Sequence, residues 1–359
     1  MTETSDVTGG PAAKTTTRSA MRIPRAAALL LATAALAVAS AGCGGDDDNS
    51  TSADGAGESF DLALDFYVNP DHVGIYQALD AGYFADEGLD VHPRVPSDPA
   101  APIKQVAAGQ VDLAISYEPE VMLARDQGID VAAVGAIVHG PLTSLISLPD
   151  AGIESPADLA GKTVVTAGIP YQSAYLETIL DDAGVDPGSV DEVNVGFNLL
   201  PAVLSGRGDA MLGGFLNVEG VQLAERGADP TVVPVNELGI PTYDELVLVA
   251  FGDDVRENPE RIEAFLSALQ RGTEDAIADP DAATDALLGA GDGLDPDLTR
   301  KEVAATLPRL ESPAGKPFGF MDPAEWDAFG IYLGDQGQLD SVPTAEELLT
   351  NEFLPPPQE

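Results

Sequence analysis

Cysteine is all but missing: the 359-residue chain has one, Cys43, which excludes an intramolecular disulfide and any site built from clustered thiolates. Basic residues are scarce too, with 17 Lys and Arg against 60 Asp and Glu and a formal net charge of −43. A surface of that sign repels phosphate backbones and anionic headgroups, so no nucleic-acid partner is expected. His72, His92 and His139 are the only histidines, and their spacing is not that of metal ligands. The chain lacks a phosphate-cradling glycine loop followed by lysine, a Gly-x-Ser-x-Gly elbow and a His-Glu-x-x-His pair. No catalytic residue, cofactor or metal site is therefore expected, and the protein is not read as an enzyme.

Lys14, Arg18, Arg22 and Arg25 precede an apolar and small run over 26–38, which leads to Ala39-Ser40-Ala41-Gly42-Cys43. This order is that of a secretory signal, and the run falls short of the roughly 20 residues that cross a bilayer. Small-small-Cys at this place resembles the lipobox of bacterial lipoproteins, with Ser40 where leucine is usual. The resemblance implies a signal peptide over 1–43, lipidation at Cys43 and anchoring to the outer face of the cell membrane. A soluble protein cut ahead of Cys43 is the other reading. Residues 44–59 are Gly, Ser and Asp without apolar periodicity, the composition of a disordered tether.

The stretch 64–88, LDFYVNPDHVGIYQALDAGYFADEG, organises the rest of the chain. Alternation over 61–67 predicts a strand, Asn69-Pro70-Asp71 a turn, and the apolar spacing over 72–87 a helix. Strand and helix then alternate at short intervals, predicting a mostly parallel sheet covered on both faces. The rhythm restarts near residue 141 and builds a second α/β unit. The apolar run at 245–251 returns to the first sheet, and helices complete the chain. We therefore expect lobe 1 over 60–145 and 243–359 and lobe 2 over 146–242. They are joined by two crossings near 143–148 and 243–246, a hinge by topology.

LDFYVNPDHVGIYQALDAGYFADEGLDV, KQVAAGQVDLAISYEP, LAGKTVVTAGIP and GGFLNVEGV together resemble the substrate-binding proteins of ABC importers in the SsuA/THI5-like (NMT1/THI5-like) family. The turn at Asn69–His72 and the segment Asn217–Glu219 resemble the branch that binds thiamine pyrimidine precursors. The resemblance implies a type II periplasmic-binding-protein fold of two α/β lobes and an aminopyrimidine as ligand. It also implies a permease and an ATPase subunit as partners, with the binding protein itself a monomer. Phe66 stands where pyrimidine-binding relatives tend to carry tryptophan. The fungal relatives that make the pyrimidine carry a cysteine-rich segment for iron, and this chain has none after Cys43.

An aminopyrimidine offers a flat π face and an amidine-like edge, so aromatic rings and a carboxylate are the partners to look for. Phe66, Tyr67, Tyr117 and Phe215 sit at predicted strand ends, where rings can stack on a ligand; the Tyr117 hydroxyl also offers a hydrogen bond, and Glu118 follows it directly. Glu219 can accept from the amine and a ring nitrogen together, or serve as a helix-start glutamate facing the dipole. Asn69 is both an Asx-turn residue and a donor–acceptor at the cleft edge, and Asn217 lies in the segment that carries the resemblance. His72 is a helix-start residue, at the surface or capping, or a ligand contact in the family pattern. Ser173, at the end of the loop 168–173, has the placing of an anion-holding hydroxyl, and a plain Gly-Pro turn accounts for that loop equally. A receptor for a sulfonate, nitrate or an aromatic such as riboflavin stays open, as does, remotely, a pyrimidine-synthesising enzyme of the THI5 type. The scarcity of Arg and Lys near the cleft segments tells against anions.

Overall fold

The computed structural model describes residues 57–291 and 293–356; the expected export signal, Cys43 and tether residues 44–56 lie outside the described residues. Ten strands form: β1 (Glu58–Ala63), β2 (Leu89–Arg94), β3 (Leu113–Ser116), β4 (Val131–His139), β5 (Thr143–Ser147), β6 (Thr163–Thr166), β7 (Asp191–Asn194), β8 (Ala210–Phe215), β9 (Thr231–Pro234) and β10 (Asp244–Phe251). They make two five-stranded sheets, ordered β2-β1-β3-β10-β4 and β7-β6-β8-β5-β9. In the first, β1 runs parallel to β2 and β3, and β10 lies antiparallel between β3 and β4. In the second, β6 runs parallel to β7 and β8, and β5 lies antiparallel between β8 and β9. Each sheet thus takes its antiparallel strand from the chain just after it changes lobe. Among the described residues no helix is long and apolar enough to cross a membrane.

Two expectations for the opening stretch shift. The strand runs over Glu58–Ala63, not 61–67, and residues 65–68 bend away from the sheet. The backbone turns there because Asp65 points inward to His72 and Tyr117 on two other elements. The helix expected over 72–87 is interrupted at Gly82, whose φ of 77° is left-handed, leaving a helix Val73–Asp80 and a single turn Tyr83–Asp86. The turn between strand and helix forms as read: Asn69 Oδ1 accepts from the Asp71 N–H at 2.8 Å, with Pro70 at the first helical position. The first crossing lies at residues 140–142, since Thr143–Ser147 is already a fully buried strand of the second sheet.

The helix Val73–Asp80 is fixed against the long helix Pro259–Ala278 by glycine. A Cβ on Gly272 would lie 2.3 Å from the Gly74 carbonyl oxygen, so only glycine permits this approach. Phe265 of the long helix holds its ring between Phe60 at 5.1 Å and Phe84 at 5.0 Å. The loop at 64–72 is therefore suspended between β1, an inner strand of its sheet, and a clamped helix, which sets the position of everything it carries.

Candidate functional site

The carboxyl end of β1 and the carboxyl ends of β6 and β8 face one another across a narrow cleft lined from both lobes. The first lobe contributes Asp65, Phe66, Tyr67, Asn69 and Tyr117, and the second contributes Ala167, Ile169, Tyr171, Gln172, Gly213, Phe215, Val218 and Glu219. None of these described lining residues is basic.

Asp65 is the pivot of the first wall. It is wholly buried, with Oδ1 2.8 Å from His72 Nε2 and Oδ2 accepting from the Tyr117 hydroxyl at 2.9 Å. His72 Nδ1 accepts from the Asn69 N–H at 3.3 Å, so its proton sits on Nε2, the one aimed at Asp65. His72 is neither a surface residue nor part of the lining: it lies buried behind Asp65 and orients it. The Tyr117 hydroxyl proton is committed to Asp65, and burial beside Asp65 pushes this phenol well above its ordinary range. Tyr117 and Tyr171 then meet edge to face at 5.6 Å from opposite lobes. At the mouth, Phe66 packs against Tyr67 at 4.4 Å and edge-on to Phe197 of the second lobe at 4.7 Å.

Glu219 opens a helix Glu219–Glu225 and turns back on β8, accepting from the Phe215 N–H at 2.8 Å through Oε2. Its Oε1 faces the Tyr67 hydroxyl across the cleft at 3.4 Å. Burial raises the Glu219 carboxyl above the usual carboxylate range, against the lowering effect of the Phe215 N–H and the Tyr67 hydroxyl. Gln172 Oε1 accepts from the Ala167 N–H at 2.9 Å, and its amide fits because position 213 is glycine: a Cβ there would come within 2.2 Å of Gln172 Nε2.

Four residues singled out in the sequence stand elsewhere than in the lining. His72 is behind Asp65. Ser173 is exposed and donates to Glu192 at 2.8 Å. Glu118 is buried at the hinge, accepting from the Asp244 N–H at 2.7 Å. Asn217 is buried between the lobes, bonded to Asp71 and Thr306. The hinge has its own carboxylate, Glu245, which binds both crossings: it accepts from the Leu142 and Thr143 N–H groups, each at 2.7 Å, and from the Tyr243 hydroxyl at 3.0 Å.

A model of the family described as NMT1/THI5 like matches residues 69–283. The chain belongs to this family. It is similar to a formylaminopyrimidine-binding protein of Halalkalibacterium halodurans, 36% identical over 307 residues that cover 84% of this chain and 93% of that one. It is also similar to a 4-amino-5-hydroxymethyl-2-methylpyrimidine phosphate synthase of Legionella pneumophila, 28% identical over 301 residues, 82% of this chain and 92% of that one. Among solved structures, the alkanesulfonate-binding protein SsuA of Xanthomonas axonopodis pv. citri bound to MOPS superposes with a TM-score of 0.65 at 15% identity, over 82% of this chain and 98% of that one. The fold is the periplasmic-binding-protein fold in its two-lobed type II form, with the returning β10 inserted between β3 and β4.

Within that family frame, Asp65, Tyr171 and Gln172 are lining residues that the sequence did not single out. Asp65 had one signal in its favour: an acidic residue directly after the fully buried run Leu62-Ala63-Leu64 and ahead of the aromatic pair. Tyr171 and Gln172 lie on the first turn of the helix Pro170–Asp182, one side of which faces the cleft; Ser173 lies on the other side.

Proposed function

We propose that the protein is an extracytoplasmic solute-binding protein of an ABC importer, anchored through Cys43, that captures an aminopyrimidine precursor of thiamine between its lobes. The observation that carries this reading is the cleft lining: aromatic rings from both lobes, two buried carboxyls and no basic residue among those described. Such a lining suits a flat, donor-rich heteroaromatic and opposes a sulfonate or nitrate, which would meet Asp65 and Glu219 with no compensating cation. The formylaminopyrimidine-binding relative supports the same ligand class. In this reading Glu219 takes the amidine edge and the rings of Tyr67, Tyr117 and Phe215 bound its face. The permease and ATPase then receive the solute when the lobes part.

A pyrimidine-forming enzyme is the second reading, raised by the synthase names among the relatives. It needs His72 at the reacting centre, whereas His72 is enclosed and spent on Asp65. Mass spectrometry of the purified protein under native conditions, followed by calorimetry, tests the assignment. Formylaminopyrimidine or hydroxymethylpyrimidine should bind, and ethanesulfonate and nitrate should not. Binding of an anion with no response to either pyrimidine would overturn the ligand assignment.

A further inference from the structure

Among the enclosed polar atoms that lack a partner in the described residues, two belong to side chains already bonded to each other, outside the cleft lining. Asn217, from the second lobe, donates through Nδ2 to Asp71 Oδ1 and to Thr306 Oγ1, each at 2.7 Å. Both amide protons are thereby used. What remains is Asp71 Oδ2 and Asn217 Oδ1, two acceptors on residues that are 1% and 0% exposed. An acid and a primary amide satisfy one another reciprocally only when the acid keeps its proton: N–H to one carbonyl, O–H to the other.

We propose that Asp71 is a neutral carboxylic acid when the lobes are joined, donating Oδ2–H to Asn217 Oδ1, so that lobe closure takes up one proton from solvent. The surroundings agree with it. The charged groups that face Asp71 are Asp65, Glu219 and Glu245, all carboxyls. His72, next in the chain, is turned to Asp65. Thr306 is uncharged, and Glu302 on the same helix, Pro296–Thr306, is bonded to Gln222 at 2.9 Å. Burial first, then these like charges, hold Asp71 well above the usual carboxylate range, against the lowering effect of the Asn217 bond.

The proposal rests on the cleft being sealed by closure, as in the proposed function. In the open state Asp71 is an ordinary hydrated carboxylate. Its contribution to closure is therefore complete below the open-state pKa and is lost as pH rises through the closed-state pKa. Between the two, affinity falls by about tenfold per pH unit.

The test is calorimetry of formylaminopyrimidine binding to the full chain near pH 7, in buffers of different ionisation enthalpy, for wild type and Asp71→Asn. Asparagine keeps the reciprocal pair and does not titrate. Wild type should take up about one proton more than Asp71→Asn; equal uptake overturns the proposal. Asp71→Asn should also bind at least tenfold tighter than Asp71→Ala, and equal weakness of the two overturns it. If formylaminopyrimidine does not bind, the ligand assignment fails by itself, and the latch is read from small-angle scattering of the ligand-free chain. Contraction between about pH 8 and pH 5 in wild type, absent in Asp71→Ala, supports the latch. A radius that ignores pH overturns it.

Discussion

Glu219→Gln isolates the contact on which the proposed ligand class depends. Glu219 Oε2 already serves the Phe215 N–H at 2.8 Å, and Oε1 faces Tyr67 at 3.4 Å, so both oxygens keep free lone pairs toward the cleft. An aminopyrimidine with a protonated ring nitrogen presents two donors side by side, and the carboxylate accepts both with charge assistance. Glutamine has the same shape but one acceptor. Its carbonyl is held by the Phe215 N–H, which leaves its NH₂ facing a ligand donor. Losing one charged hydrogen bond and gaining a donor–donor contact costs about 1.5–3 kcal/mol, or roughly 10- to 150-fold in Kd. Isothermal titration with formylaminopyrimidine reads this directly. Folding stability should change little, because an amide is less costly to bury than a carboxyl raised by burial. A Kd within about twofold of wild type would remove Glu219 from the ligand contact and with it the amidine-edge argument.

Three further outcomes are expected from other parts of the structure. Asp65→Asn turns one of its oxygens into a donor facing either the His72 Nε2–H or the Tyr117 hydroxyl; unfolding should be easier by about 1–3 kcal/mol, and an unchanged melting temperature would contradict the bonded geometry. Gly272→Ala sets two effects against each other, a helix-propensity gain of about 0.5–1 kcal/mol and an overpacking cost of about 1–3 kcal/mol. With the Cβ 2.3 Å from a backbone oxygen, overpacking should win, and a urea midpoint that rises would show that the two helices part easily. Glu120, Glu245 and Glu302 are each raised by burial to about 7. A carboxyl whose folded pKa lies above its unfolded value stabilises the fold fully below the unfolded pKa and loses that contribution as pH rises through about 7. Calorimetric melting should therefore be highest near pH 5 and fall toward pH 8, with a shallower fall in Glu302→Gln; stability rising over that interval would refute the assignment.

The alternation of elements and the Asn69 turn were legible because each depends on neighbours within a few residues, whereas the return of 245–251 to the first sheet, where it pairs with the distant β3 and β4, was legible as an apolar strand left without a place in the second unit. Asn69 bonds to the Asp71 N–H two positions on, so its chemistry is written locally. The roles of buried polar groups were not legible. Asp65 is defined by Tyr117, 52 positions away, and in a chain with 60 acidic residues nothing marks that one as interior. Glu118 and Glu245 look like strand- and helix-end acids, yet each holds hinge backbone from a distant segment. His72 caps the turn as one of its readings had it, through the Asn69 N–H on Nδ1, but its burial was not legible, because that depends on Asp65 at its other nitrogen. Ser173 and Gln172 show the finer limit, since one step along a helix separates an exposed side chain from a buried one.

On the proposed function, the distribution of charge sets what the cleft selects. Glu219 and Asp65 line one cleft from opposite lobes, and burial first, then the Asp65 carboxyl across the cleft, raises Glu219 above the usual carboxylate range. No lysine or arginine among the described lining residues offsets this. On the proposed closure, an empty cleft shuts only at the cost of dehydrating those carboxyls, whereas a ligand carrying hydrogen-bond donors supplies what they lack. An anion of the same size adds a third negative group and makes closure dearer still. On this reading, selectivity for donor-rich, flat solutes comes as much from what the walls repel as from what they bind. It also makes a specific demand: Asp65→Asn, by lowering the negative charge, should narrow the gap between formylaminopyrimidine and ethanesulfonate by at least about tenfold, and a gap that widens would mean that shape, not charge, excludes the anion.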